Sequence, residues 1–447
     1  MLNPGPKRLH KEGMNKKHSQ SKTATGPSKS KFVVLRQICN LIPPFLVSKL
    51  AHATGVDARA RSYTPWSHVV TLLYAQLVHA IGLNDVCDSL RLHSGLLVGL
   101  RGATPPSRNN LSHANRERDA ALAEKLFWAV LEHLRGLHAG FAGGRQGRGL
   151  ARRFRRVISV VDSTTIQLVA SCMDWARHRC RKAAAKCHLR LDLHSFLPRF
   201  ALIDTARDND AKRAREICAG IRPGEIVLFD KAYVDFAHLW ALTLRGIFWV
   251  TRAKDNLVFD VIEQRPVKGA ILRDDIVCLG RADAFADYPG ELRRIVARVE
   301  VDGREQEMVF LTNNRDWSPQ TIADLYRCRW NIEVFFKQIK QTLQLADFLG
   351  HSANAVRWQV WMALLVYVLL RFLAVVHGWH HCFTRLFTLL RAALWRRWDL
   401  PSLLQLMGQH VALSGSSPPR SSLPSREYSF SRGTAHDLNH PRRLPKV

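Results

Sequence analysis

The chain has 447 residues, more than one hydrophobic core usually supports, so two or three domains are expected. An apolar fraction of 47% and a charged fraction of 23% are those of a globular protein and exclude a disordered or fibrous one. Sixty-six Lys and Arg against 37 Asp and Glu leave a net charge of +29, which points to a polyanion, either nucleic acid or an anionic membrane surface.

Residues 1–31 carry eight basic residues against one acid and read as a disordered basic arm. They contain no apolar stretch of the kind a signal peptide needs. From Phe32 to Leu137 the apolar periodicity is helical, as in Val69, Leu72, Leu73 and Leu77, and this stretch is expected to be an all-α N-terminal domain. Pro43–Pro44 and Pro105–Pro106 punctuate it, and Ser107 can cap the helix that follows. Arg108, Arg116 and Arg118 lie after the second break and are candidates for facing DNA. Residues 138–156, rich in Gly and Arg, read as a basic linker.

The pattern then changes. Val157–Asp162 and Glu225–Asp230 are short β-branched or apolar runs, each ending in an acid. Leu189–Leu193 and Phe200–Asp204 read as a hairpin, and Ile247–Thr251 as a further strand. Residues 255–312 alternate in polarity and predict a mostly β insertion. Helices are expected over 318–345 and 355–376. A helical extension is expected over 377–414, and a disordered Ser/Pro/Arg-rich tail over 415–447. The longest apolar run, Val360–Leu370, is too short for a bilayer core of roughly 30 Å and reads as a buried helix. The charge then points to nucleic acid and away from a membrane.

The nine cysteines are scattered without a C-x-x-C, which suggests a reducing cytosol. Cys172, Cys180 and Cys187 with His178 and His188, or His377, His380, His381 and Cys382, could be drawn as metal clusters, but neither spacing is a standard zinc pattern.

A carboxylate at the end of a central strand sits at the rim of a sheet, where sites form in α/β folds. Neighbouring buried carboxylates repel and call for a cation, and an oxygen-rich set suits Mg²⁺ or Mn²⁺. Asp162 and Asp230 are such acids, although a strand-end Asp also commonly caps a turn. On a helical wheel Tyr326, Arg329, Glu333, Lys337 and Lys340 share one face, and Ile332, Phe335, Phe336 and Ile339 occupy another. The polar face is either a site or a solvated strip laced by i,i+4 pairs.

The spacing Tyr326-x2-Arg329-x3-Glu333-x6-Lys340 resembles the Y-R-E-K signature of DDE transposases from bacterial insertion sequences of the IS-four family. Val161-Asp-Ser-Thr-Thr165 and Phe229-Asp-Lys-Ala-Tyr233 resemble the family's first and second Asp motifs, and Phe248–Lys254 the strand entering its β insertion. Arg61–Trp66 and Ala114–Asp119 resemble the helical N-terminal domain of one subgroup. Ala232 departs from the family's usual Gly, which would strain the loop if its φ were positive.

The resemblance implies an α/β fold. Its core would be ribonuclease H-like, formed by 157–254 and 313–376, interrupted by the insertion 255–312 and preceded by the all-α domain. It implies Asp162, Asp230 and Glu333 as catalytic acids holding two Mg²⁺ or Mn²⁺ ions. It also implies metal-dependent DNA cleavage and strand transfer by cut-and-paste transposition, in a synaptic homodimer. Arg329, Lys340, Lys337 and Tyr326 would contact DNA phosphates, and Trp330 and Trp249 would stack on a base near the transposon end or pack in the core. The expected partners are terminal-repeat and target DNA, in the cytoplasm at the nucleoid. A DNA-binding protein descended from a transposase but unable to cut is the alternative, which the three intact acids disfavour. A plain ribonuclease H-like nuclease would need neither the insertion nor the basic arm.

Overall fold

The computed structural model describes residues 26–58, 60–143, 154–168, 172, 177–179, 182–205, 210–301, 303–342 and 348–409. The expected tail 415–447, the arm up to residue 25 and the linker over 144–153 lie outside them.

Among the described residues ten strands form one sheet. They are β1 (Ile158–Leu168), β2 (Arg177–Arg179), β3 (Lys182–Asp192), β4 (Leu197–Thr205), β5 (Ile226–Phe229), β6 (Phe248–Arg252), β7 (Phe259–Gln264), β8 (Ile271–Leu279), β9 (Leu292–Val301) and β10 (Arg304–Thr312). β3 pairs antiparallel with both β1 and β4, which form the expected hairpin arm, while β1, β5 and β6 run parallel. Helices Asp210–Ile217 and Phe236–Leu244 make the crossovers into β5 and β6. The order β4-β3-β1-β5-β6 is a ribonuclease H-like core. All four residues of β5 are buried, as expected for a parallel strand covered on both faces.

The insertion is mostly β, with one short helix, Ala282–Asp287. It is not a separate layer. β10 pairs with β6, so the core sheet continues through β10, β9 and β8 to β7 at its edge.

The N-terminal helices differ from the expected free-standing unit. Pro65–Val78, Arg108–Glu117 and Ala121–Leu137 pack against Ala353–Val376, far along the chain. That helix is long and apolar enough to cross a bilayer, but most of it is buried inside the protein. Its polar contacts are as specific as its packing. Trp358 Nε1 donates to the Arg118 carbonyl at 2.7 Å, and Asn354 Nδ2 donates to the carbonyls of Asn115 and Arg118. His68 packs at a tilt against Trp358 with ring centroids 4.5 Å apart and bonds Asn115. Burial and neighbouring Arg118 hold the His68 pKa down near 3, against the raising effect of the Asn115 bond, so the imidazole is neutral.

Residues 26–34, partly assigned to the arm, pair with the C-terminal extension. Lys29 bridges Trp398, and the amides of Ser30 and Val34 donate to the carbonyls of Arg397 and Arg396. The helices Phe383–Ala393 and Leu400–Gln409 thereby join the N-terminal helices in one body. Arg118 does not face outward, because its guanidinium donates to the carbonyls of Tyr63 and Thr64.

Candidate active site

The parallel register aligns Val161 with Phe229, so the next residues along, Asp162 and Asp230, sit side by side on strands about 4.8 Å apart. Asp162 is nearly buried, and its Oδ1 accepts the Ser163 amide at 2.7 Å. Asp230 follows β5 in an extended conformation, and Lys231–Tyr233 come next as a 3₁₀ turn. Ala232 has no positive φ, so its replacement of Gly leaves no strain there. Tyr233 is buried and its hydroxyl lies 3.1 Å from His188 Nδ1 on β3, which ties the loop after Asp230 to the strand beside β1. An open cavity of about 540 Å³ adjoins Asp230, lined by Lys231, Ala232, Lys254, Asp255 and Asn256.

The third acid arrives on a helix that is less regular than expected. Pro319–Arg327, capped by Ser318, ends at Cys328, and a second helix, Trp330–Lys337, follows. A π turn over Gln338–Thr342 then replaces the last expected turn. The polar face nevertheless stays directed at β1.

Arg329 is the hub. Its Nη1 donates to Asp162 Oδ2 at 2.9 Å and its Nη2 to Glu333 Oε1 at 2.9 Å. The Arg329 side chain is 10% exposed and Glu333 44%, so the pair reaches from the protein interior to its surface. Burial works against the Arg329 charge, but Tyr326, Asp162, Asp230 and Glu333 together hold its pKa above the usual value. Burial pushes the Asp162 carboxyl up to about 6. Arg329 and the Ser163 amide oppose that rise, and the charges of Asp230 and Glu333 add to it.

The other expected site residues fall into two groups. Lys340 Nζ donates to the Thr165 carbonyl at 2.6 Å, three residues beyond Asp162, and burial lowers its pKa. Lys337 is exposed, as is Trp330 at 46%. Trp330 borders a cavity of about 230 Å³ with Val299, Met308, Phe310 and Tyr326.

Two residues are not surface groups. Tyr326 is 5% exposed and packs on Phe310, and burial raises its pKa to about 12. Trp249 is fully buried in β6 and its Nε1 donates to Thr243 Oγ1 at 2.9 Å, so it offers no face to a base. Arg329 likewise spends its guanidinium on carboxylates and Lys340 its ammonium on the Thr165 carbonyl, which leaves Lys337 and Trp330 as the exposed members of the expected DNA-contacting set.

Asp162, Asp230 and Glu333 supply hard oxygen donors of the kind Mg²⁺ and Mn²⁺ take. As the side chains are arranged, Arg329 bridges two of them, and among the described residues no three His, Cys, Asp or Glu side chains are close enough to enclose one ion. Metal binding therefore requires the acids to turn toward one another. Of the two drawn Cys/His groups, Cys172 is buried with its thiol on the His351 carbonyl, and Cys180 and the His178 side chain lie outside the described residues.

Known proteins match both halves of the chain. Residues 153–369 match the transposase DDE domain, and residues 30–100 match a domain of unknown function, DUF4372. A protein named as a transposase, y4zB, of Sinorhizobium fredii is 33% identical over 274 residues, covering 60% of this chain and 72% of its own length. The chain belongs to the DDE transposases of bacterial insertion sequences, IS-four family. Within that family, the protein named as the transposase of insertion sequence element IS5377 in Geobacillus stearothermophilus is 28% identical to this transposase. The match covers 74% of this chain and 84% of that one. The transposase InsG of insertion sequence element IS4 in Escherichia coli is 25% identical over 41% of this chain and 42% of its own. This transposase is thus a DDE enzyme with a ribonuclease H-like core.

Proposed function

We propose that this transposase cuts and joins DNA with Asp162, Asp230 and Glu333 as its catalytic acids, holding two Mg²⁺ or Mn²⁺ ions. The observation that carries the reading is the meeting of all three motifs at one rim. Asp230 directly follows β5. Asp162 lies beside it where β1 runs on past the end of β5, and so does not end its strand as expected. The third acid is tied to Asp162 through one guanidinium. Divalent ions held there would activate the attacking water or 3′-hydroxyl and steady the leaving oxygen of an in-line displacement at phosphorus.

The protein's own groups set the stage for that chemistry. The Ser163 amide orients Asp162, Arg329 holds Glu333 toward β1, and His188 fixes the loop behind Asp230 through Tyr233. Lys337, exposed beside the acids, would contact a phosphate, Lys340 would do so on releasing the Thr165 carbonyl, and exposed Trp330 would stack on an unpaired base. Tyr326 supports the site from within the core.

The DNA partners are the ends of the element and the target. The +29 charge supports a long phosphate contact, and the helical body reads the ends through side chains other than Arg118. Assembly as a synaptic homodimer in the bacterial cytoplasm completes the proposal. The alternative, a transposase-derived protein that binds but does not cut, has no observation in its favour, since all three acids are intact.

The test is a plasmid carrying the gene with its natural flanking DNA, incubated with purified protein and Mg²⁺ or EDTA. Excision that requires both the divalent ion and Asp230 supports the reading. Tight DNA binding with no strand cleavage in Mg²⁺ or Mn²⁺ favours the alternative.

A further inference from the structure

Arg293 on β9 and Asp274 on β8 form a two-pronged ion pair, Nε–Oδ1 2.7 Å and Nη2–Oδ2 2.8 Å, with both side chains only 3% exposed. The guanidinium has one nitrogen left, and it points out of the insertion. Arg293 Nη1 donates to the carbonyls of Arg315, at 3.1 Å, and Trp317, at 2.5 Å. Arg265 Nη1 donates to the same Arg315 carbonyl at 2.8 Å, and the Arg265 amide bonds the Asp274 carbonyl.

Those carbonyls belong to the loop that joins β10 to helix Pro319–Arg327. The rest of the loop is held as closely. Asn313 bonds the Trp249 amide and the Ile247 carbonyl, and Asn314 accepts the amides of Asp316 and Trp317. The Trp317 ring packs against Phe154 and Phe248, with centroids 5.6 and 5.2 Å away. Ser318 then caps the helix that leads to Tyr326, Arg329 and Glu333.

A buried ion pair is poor value as a source of stability, because apolar residues of similar volume often do as well or better. What the pair supplies is direction. A guanidinium is a rigid fork, and Asp274 fixes two of its prongs so that the third can meet only the loop. We propose that Arg293, aimed by Asp274, is a positioning residue: it clamps the loop so that the following helix presents Arg329 and Glu333 to Asp162. Both residues are sealed from solvent, so they act through the helix and not by touching DNA. The inference rests on the reading of Glu333 as a catalytic acid. It extends that reading by making the insertion part of the catalytic geometry.

The test uses the full chain with the double substitution Arg293→Met/Asp274→Leu, and separately Arg293→Lys, which keeps the charge and loses the fork. Three quantities are read: excision from the plasmid above, the urea midpoint, and amide hydrogen exchange across Trp330–Lys337. The clamp predicts an unchanged midpoint, exchange at 330–337 about tenfold faster with β1 and β5 unaffected, and excision at least about tenfold slower, since a displacement of about 1 Å can cost roughly 100-fold in rate. Wild-type exchange at 330–337 together with wild-type excision in the double variant overturns it. Should the double variant unfold, Arg293→Lys decides on the same two readings. Should wild-type protein fail to excise, the reading of the acids fails, and the exchange pattern still decides the clamp.

Discussion

Replacing Asp162 with Asn should make the protein more stable near neutral pH while abolishing cleavage. Burial pushes this carboxyl from 3.8 to about 6, net of the opposing pull of Arg329 and the Ser163 amide. The native state therefore holds the proton more tightly than the unfolded chain does. Below pH 3.8 both states are protonated and nothing is lost. As pH rises through about 6 the native state must release a proton it favours, and stability falls. At about 1.36 kcal/mol per unit, ionising Asp162 costs roughly 3 kcal/mol by neutrality.

Asn never ionises and avoids that cost, which is already net of the Arg329 pull on the ionised carboxylate. A gain of up to about 3 kcal/mol is expected near neutral pH, and little near pH 4. Urea titrations of both proteins in EDTA at those two values measure the difference. Added Mn²⁺ should then stabilise wild type more than the variant, because a cation offsets the same charge cost. A variant less stable than wild type by an equal margin at both pH values would refute the reasoning, since the cost would then not be one of ionisation.

Arg329→Met removes the cation between Asp162 and Glu333 and should destabilise the protein by about 3 kcal/mol in EDTA, as measured by urea titration, because it strands a nearly buried carboxylate. Trp249→Ala should cost about 3–5 kcal/mol through the cavity it leaves, whereas Trp330→Ala should change the urea midpoint little and weaken binding of an oligonucleotide with an unpaired base. Lys337→Gln should lower the salt slope of duplex binding by about one, read by fluorescence anisotropy. A fragment of residues 26–143 should fail to unfold cooperatively by circular dichroism, because it lacks Ala353–Val376, the helix its apolar faces pack against.

The two Asp residues were legible because each follows an apolar run of four or five residues, but only Asp230 follows a strand end, since β1 continues past Asp162 to Leu168. Arg329 and Glu333 were legible as an i,i+4 pair. The second partner of Arg329, Asp162, lies 167 residues away, and no local pattern announces it. The helix break at Cys328 and the π turn at Gln338–Thr342 were hidden, since neither Pro nor Gly marks them. Trp249 and Trp330 look alike in sequence, and only the placement of β6 inside the sheet separates a core ring from an exposed one.

Domain limits were the least legible part. The apolar faces of residues 32–137 were visible, but not that their cover comes from residues 353–409. Likewise the alternation over 255–312 predicts strands without saying that β10 joins β6 and continues the core sheet. The Arg293–Asp274 pair sat unremarked within a strand pattern for the same reason: its meaning lies in carbonyls 22 and 24 residues further on.

The most direct measurement is strand cleavage of the plasmid carrying the gene and its flanks, by wild type and by Asp162→Asn, Asp230→Asn and Glu333→Gln, each with Mg²⁺, with Mn²⁺ and with EDTA. Cleavage at the element's ends by wild type with either ion, none with EDTA, and none by any of the three folded, DNA-binding variants is the predicted result. Wild-type cleavage that persists in EDTA, or a variant that cleaves at the wild-type rate, would contradict the assignment of these three acids.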